Sequence, residues 1–162
     1  MTTEASSDAV PYRPAGYSTI TPFLCVDGAA AAVAFYTDVF GAHEIARAAA
    51  PDGTIAHAEL QVGDGRLQLG DPNPAYGIVA PSGDDAVTFS LAIYVPDCDA
   101  VTEAAARAGA TVREQPSTFV TGDRFASIRD PFGIRWSIMT RVEDVSDEEA
   151  DRRVREWMAA QG

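Results

Sequence analysis

Residues Thr121 to Thr140 read TGDRFASIRDPFGIRWSIMT, and the fold follows from how this stretch alternates. Phe125, Ser127 and Arg129 interleave with Arg124, Ala126 and Ile128, the period-2 pattern of a strand. Asp130-Pro131-Phe132-Gly133 then makes a turn, with proline at its second position and glycine at its fourth. Beyond it Ile134, Trp136 and Ile138 share one face, and Arg135, Ser137 and Met139 the other. The spacing predicts an antiparallel pair of strands with one apolar face, placing Trp136 in the core, and one face fit to line a wet cavity.

Upstream of this pair, Ala86–Val95 reads as a strand and Asp97–Ala108 as a helix stopped by Gly109, with a further strand near 111–115. The same order occurs once before. Ser18–Val26 reads as a strand, with Ile20, Leu24 and Val26 on one face and Thr19, Thr21, Phe23 and Cys25 on the other. Asp27 is placed to cap an alanine-rich helix that runs to Phe40 and stops at Gly41. Strands follow near 43–49, 55–62 and 66–70. Val26 lies fifteen residues before Gly41, and Val95 fourteen before Gly109, so the two strand–helix units nearly superpose. The expected architecture is therefore α+β: two tandem βαβββ modules, 17–70 and 86–140, forming a curved mixed sheet around a cavity.

The flanking segments complete the division of the chain. Residues 1–16, broken by Pro11, Pro14 and Gly16, read as a flexible arm ahead of a domain spanning 17–145. Residues 71–85, DPNPAYGIVAPSGDD, are a linker rich in proline and glycine. Ser146 and Glu149 have the spacing of a capping box at the start of a C-terminal amphipathic helix, 146–162. Glu148–Arg152, Glu149–Arg153 and Asp151–Arg155 are candidate i,i+4 pairs along it. Its apolar stripe of Ala150, Val154, Trp157 and Met158 suits packing on its own domain or on a second subunit.

Composition narrows the function. The chain has 162 residues, 46% of them hydrophobic, enough for one real core. A formal charge of −12 argues against nucleic acid or an anionic membrane as partner. The twelve basic residues are all arginine, which excludes Schiff-base chemistry and pyridoxal phosphate anchoring on this chain. Two cysteines outside any CxxC pair give neither a disulfide framework nor a thiolate zinc site. Without an apolar stretch long enough to span a bilayer, or the pattern of a signal peptide, a cytoplasmic location is expected.

One strand carries the chemistry. From Ile55 to Val62, His57, Glu59 and Gln61 alternate with Ala56, Ala58, Leu60 and Val62, so the polar trio should face the cavity. A carboxylate and an imidazole two residues apart are placed to act as an acid–base pair, or only to bind. Phe23 and Tyr94, also on cavity-facing positions, suit stacking on a flat or cationic ligand. Arg124 is a candidate clamp for an anionic group, or half of an ion pair with neighbouring Asp123.

The doubled unit, with Asp27-Gly28, Phe35-Tyr36 and Phe40-Gly41 in the first copy and Asp130-Pro131-Phe132-Gly133 in the second, resembles the vicinal oxygen chelate superfamily. Glyoxalase I, the bleomycin-resistance proteins and the extradiol dioxygenases belong to it. The pieces TPFLCVDG, HAEL, GDR and DPFGIRWSI are most similar to its PhnB-like branch. The resemblance implies a metal held by the first and last strands of both modules, and places Thr21, Gln68, Ser90 and Ser137 at those four positions. Two serines and a threonine are poor ligands for a divalent ion, so no metal and no cofactor is expected. The resemblance also implies a homodimer. Together these readings predict a metal-independent small-molecule-binding protein, with Thr21, Phe23, Gln61, Gln68, Ser90, Tyr94, Arg124 and Ser137 lining the site. The alternative is a lyase or isomerase using Glu59 and His57 on a small biosynthetic intermediate.

Overall fold

The computed structural model describes residues 10–162, and its element order is the predicted one. The first module consists of β1 (Phe23–Cys25), α1 (Ala29–Phe40), β2 (His43–Ala49), β3 (Ile55–Val62) and β4 (Gly65–Gly70). The second repeats it as β5 (Leu91–Tyr94), α2 (Cys98–Arg107), β6 (Thr111–Thr118), β7 (Asp123–Arg129) and β8 (Arg135–Arg141), and α3 (Asp147–Gln161) follows. Each module forms a four-stranded mixed sheet, in the orders β1-β4-β3-β2 and β5-β8-β7-β6. The first strand of each lies parallel to the last, and the other pairs are antiparallel. Part of the arm assigned to 1–16 lies outside the described residues.

Both leading strands are shorter than the alternation predicts. Pro22 has no N–H to donate, and the ladder of β1 begins only at Phe23, the Pro22 carbonyl still accepting from Gln68 N at 2.9 Å. Ile20, expected on the apolar face, is 82% exposed, because nothing N-terminal to Pro22 is held in the sheet. In the second module the ladder starts at Leu91 opposite Trp136. The preceding Ile134 has given its backbone N–H to the Asp130 carboxylate and its carbonyl to Asp130 N, so 86–90 find no partner there.

The helix signals need one correction. Asp27 does not cap α1; Gly28 stands at that position, with φ +86°, and contributes no side chain. The cap comes from across the module: Asp71 Oδ1 accepts from Gly28 N at 3.0 Å and Ala29 N at 2.9 Å, while Oδ2 accepts from Ile55 N at 2.7 Å. One carboxylate thus ties the start of α1 to the start of β3 and the end of β4. Gly41 ends α1 in the left-handed region and the Ser146 hydroxyl accepts from Glu149 N, as read, while Asp97, read as the first residue of α2, is its cap and accepts from Ala100 N.

A single core joins the modules. The apolar faces of both sheets, including Leu24, Leu60, Leu69, Ile128, Trp136 and Ile138, are buried in one cluster with α1. Tyr36 and Phe40 of α1 pack on Trp136 of β8, with ring centroids 5.5 and 4.8 Å away. Beside them Asp130 is 4% exposed, yet its carboxylate is well partnered. Oδ2 accepts from Tyr36 Oη at 2.7 Å and Trp136 Nε1 at 2.9 Å, and Oδ1 accepts from Phe132 N and Ile134 N at 3.0 and 2.8 Å. The turn at Asp130-Pro131-Phe132-Gly133 is therefore also the joint between the modules.

The C-terminal helix is tied to its own chain. Arg153 donates to both carboxylate oxygens of Glu143 at 2.8 Å and to Val120 O at 3.3 Å, and Trp157 packs edge-on against Phe119 at 5.2 Å. Of the predicted ion pairs Glu149–Arg153 forms, at 2.8 Å. Arg152 instead reaches Glu149 and Glu156, which leaves Glu148 and Asp151 outside the ion pairs found among the described residues.

Candidate functional site on the first sheet

The strand register assembles a polar row. Phe23 on β1 pairs with Gln68 on β4, and Gln68 pairs with Glu59 on β3, so three predicted site residues stand side by side on one sheet face. His57 and Gln61 flank Glu59 on the same face, as the alternation requires. The opposite positions, Ala58 and Leu60, are fully buried.

Glu59 is the hub. Its Oε1 lies 3.1 Å from His57 Nε2 and accepts from Gln68 Nε2 at 3.3 Å, while Oε2 accepts a hydrogen bond from the Tyr17 hydroxyl. Phe23 lies against the His57 ring, with centroids 6.0 Å apart and planes inclined by 27°. The Arg66 guanidinium sits over the Tyr17 ring at 5.2 Å, and its Nε donates to Gly16 O at 3.3 Å. This holds the segment before β1 over the sheet and aims the tyrosine at Glu59. Tyr17 was not among the residues singled out from sequence, since it lies outside any alternating stretch. Gln61 is turned away, donating to Gly63 O at 2.8 Å.

These contacts set the charge. The hydrogen bond from Tyr17, then that from His57, holds the Glu59 carboxyl below the usual carboxylate range. The same bond to Glu59, followed by burial, pushes the Tyr17 hydroxyl up. Glu59 is accordingly an ionised acceptor at neutral pH, stabilised as an anion and weakened as a base. Its side chain remains 21% exposed, so a ligand can still reach it.

The remaining predicted residues lie elsewhere. On the second sheet Ser137 stands opposite Ser127 on one side and Ala92 on the other, and Tyr94 is in register with Met139. Tyr94 is 63% exposed. Ser90 is exposed, one residue before β5, and Thr21 is half-buried, two residues before β1. Arg124 corrects the expected pairing: it makes a bidentate contact with Asp99 of α2, not with Asp123. It therefore shares the helix-packed face of β7 with buried Ala126 and Ile128, away from the polar face, and serves as a tie between helix and sheet rather than a clamp for a ligand. His43 is exposed at the start of edge strand β2.

The donor set does not suit a divalent metal. Thr21, Ser90 and Ser137 offer neutral alcohols, which leaves the Gln68 amide oxygen as the one ordinary ligand atom of the four, its Nε2 donating to Glu59. Among the described residues no three His, Cys, Asp or Glu side chains converge. No helix among these residues is long and apolar enough to cross a membrane.

Doubled βαβββ topology, one shared core and a polar row on the leading sheet define a recognisable class. Residues 18–138 match the family model of the Glyoxalase/Bleomycin resistance protein/Dioxygenase superfamily, and the chain belongs to that superfamily. An uncharacterized protein of Mycobacterium bovis is 33% identical over 146 residues, covering 88% of this chain and 93% of its own. Among solved structures, TioX from Micromonospora sp. ML1 is similar, with a TM-score of 0.61 and 26% identity over 76% of this chain and 98% of that one. The PhnB protein of Bacillus cereus, at 19% identity, has the same fold, with a TM-score of 0.61 over 76% of this chain and 99% of that one.

Proposed function

We propose that this protein binds a small organic molecule without a metal, presenting Glu59 as a fixed anionic acceptor to a cationic or hydrogen-bond-donating group. The observation that carries this reading is the convergence of Tyr17, His57 and Gln68 on the Glu59 carboxylate. Three donors lock the side chain in one orientation, and the first two hold it ionised. A preorganised carboxylate loses little freedom when a ligand docks. Phe23 beside it offers an aromatic face, and the formal charge of −12 favours the approach of a cation over nucleic acid or an anionic membrane. Partly exposed Glu59 and exposed Tyr94 are open to a second copy of the chain, and we take the working unit to be a homodimer in the cytoplasm.

The enzymatic reading keeps one observation in its favour, the 3.1 Å contact between His57 Nε2 and Glu59 Oε1. A lyase or isomerase would need Glu59 to take a proton, and a carboxyl held low by its neighbours is a poorer base for that step.

Thermal unfolding after exhaustive chelation tests the proposal, with Zn²⁺, Ni²⁺, Mn²⁺ and Fe²⁺ added singly and then a panel of cationic aromatic compounds. A native-state ligand at ~100 times its dissociation constant adds about 2.7 kcal/mol, a rise of several degrees. We expect no rise with any metal, and a rise with at least one organic cation that Glu59→Gln diminishes. A clear rise with a metal, or a cation response indifferent to Glu59→Gln, would defeat it. Turnover abolished by Glu59→Gln would establish the lyase or isomerase instead.

A further inference from the structure

The linker between the modules roofs a cavity of about 470 Å³, within the range of small-molecule sites. Its walls are largely apolar: Phe23 from β1, Ile78 from the linker, Val87 and Phe89 from the segment leading into β5, and Ile134 beside β8. Arg135, the first residue of β8, also borders it.

The arginine is under-used. Its Nε is buried and has no hydrogen-bond partner among the described residues, and its Nη2 reaches only the Asp85 carbonyl, at 3.4 Å. A buried guanidinium N–H without an acceptor is costly, and in native proteins such a group calls for a missing partner. The neighbours increase the demand for one. Arg129 stands directly opposite Arg135 across β7 and β8, an unfavourable pairing of like charges. Arg129 and Arg113 both draw on one carboxylate, Asp85, at 3.8 and 2.5 Å.

Arg135 and Asp84 are the charged residues that line the cavity, while Arg113 and Arg129 lie off the lining and are engaged with Asp85. Burial, with Asp71 and Asp27 nearby, pushes the Cys25 thiol on the cavity wall up, so it stays protonated and adds no competing anion. Aromatic and aliphatic walls beside a guanidinium whose hydrogen bond is a long one to a carbonyl suit a flat apolar body that ends in a carboxylate.

We propose that this cavity is a binding site for an aromatic carboxylate, its ring between Phe23 and the residues Val87 and Phe89 that lead into β5, and its carboxylate on Arg135. The site shares Phe23 with the Glu59 row but does not use the Glu59 carboxylate, so Glu59→Gln separates the two readings.

Calorimetric titration of the full chain with 2-naphthoate, and with uncharged 2-naphthamide of the same shape, tests it. The acid should bind at least about tenfold more tightly than the amide, the worth of one charge-assisted pair. Arg135→Gln should bring the two within about twofold of each other. That substitution removes an unsatisfied buried donor, so its melting temperature should not fall. Glu59→Gln should leave naphthoate affinity unchanged, whatever it does to cation binding. Equal affinity of acid and amide for the unaltered protein overturns the proposal without any variant. So does binding of neither at about 1 mM, or an acid preference that survives in Arg135→Gln.

Discussion

Asp130 shows how much one side chain can hold. It lies in the interior, where an ionised carboxyl is expensive, and burial accordingly raises its pKa against the lowering effect of the donors around it. Tyr36 is the donor from the other module. Tyr36→Phe leaves the packed ring and deletes one hydrogen bond to a buried carboxylate, which should cost about 1–3 kcal/mol. The sign of its pH dependence follows from the charge. The tyrosine hydroxyl stabilises the ionised form, so the penalty should be greatest at neutral pH and shrink as Asp130 takes up its proton in acid. Folded-state pKa is raised here, so Asp130 favours folding most at low pH and loses that contribution as pH rises through its titration. Urea unfolding of the variant and the parent protein at acid and neutral pH measures both effects.

Among the elements, those with strong local signals were legible and those that depend on distant partners were not. Period-2 alternation placed β3 at Ile55–Val62 and put His57, Glu59 and Gln61 on one face, which is where they lie. Glycines Gly41 and Gly109 marked the ends of two helices because each adopts positive φ just past the helix. The start of β1 is set by Pro22, a local signal that the alternation overrode, while the start of β5 was not legible, since Ile134 beside it has already engaged its backbone groups with Asp130. Tyr17 was hidden for a similar reason: its role depends on Arg66 and Glu59, residues 49 and 42 positions away. The capping of α1 is the sharpest case. Asp27 has the right identity in the right local place, but Asp71, brought alongside by the parallel pairing of β1 with β4, makes the bonds. Asp71→Ala should therefore cost about 1–2 kcal/mol for the lost cap alone, and more because Ile55 N also loses its acceptor. Asp27→Ala should change stability by less than about 0.5 kcal/mol. Chemical denaturation of the two variants decides between them, and equal losses would return the cap to Asp27.

Over the whole molecule, the duplication in sequence suggests two half-domains, while the packing argues that neither half is independent. Each module alone has one four-stranded sheet and one helix, and each exposes a hydrophobic face that the other covers. Phe40 and Tyr36 leave their own module to pack on Trp136, and the Asp130 carboxylate accepts hydrogen bonds from both modules at once. Removing either half would uncover an apolar surface and leave a buried carboxylate or its donors unpaired, which a chain this size cannot absorb within a total stability of about 5–15 kcal/mol. Unfolding should accordingly be a single event. Trp136 reports on the junction and far-ultraviolet circular dichroism on both sheets and all three helices, so the two probes should trace one transition with the same midpoint. The contribution of Trp157 is separated by repeating the fluorescence with Trp157→Phe, since that residue packs only at the half-exposed contact with Phe119. Tyr36→Phe provides the stricter test, because it weakens the joint while leaving each sheet intact. In a cooperative molecule it shifts both probes together; if the modules were autonomous, the fluorescence midpoint would fall while most of the circular dichroism signal melted where it did before.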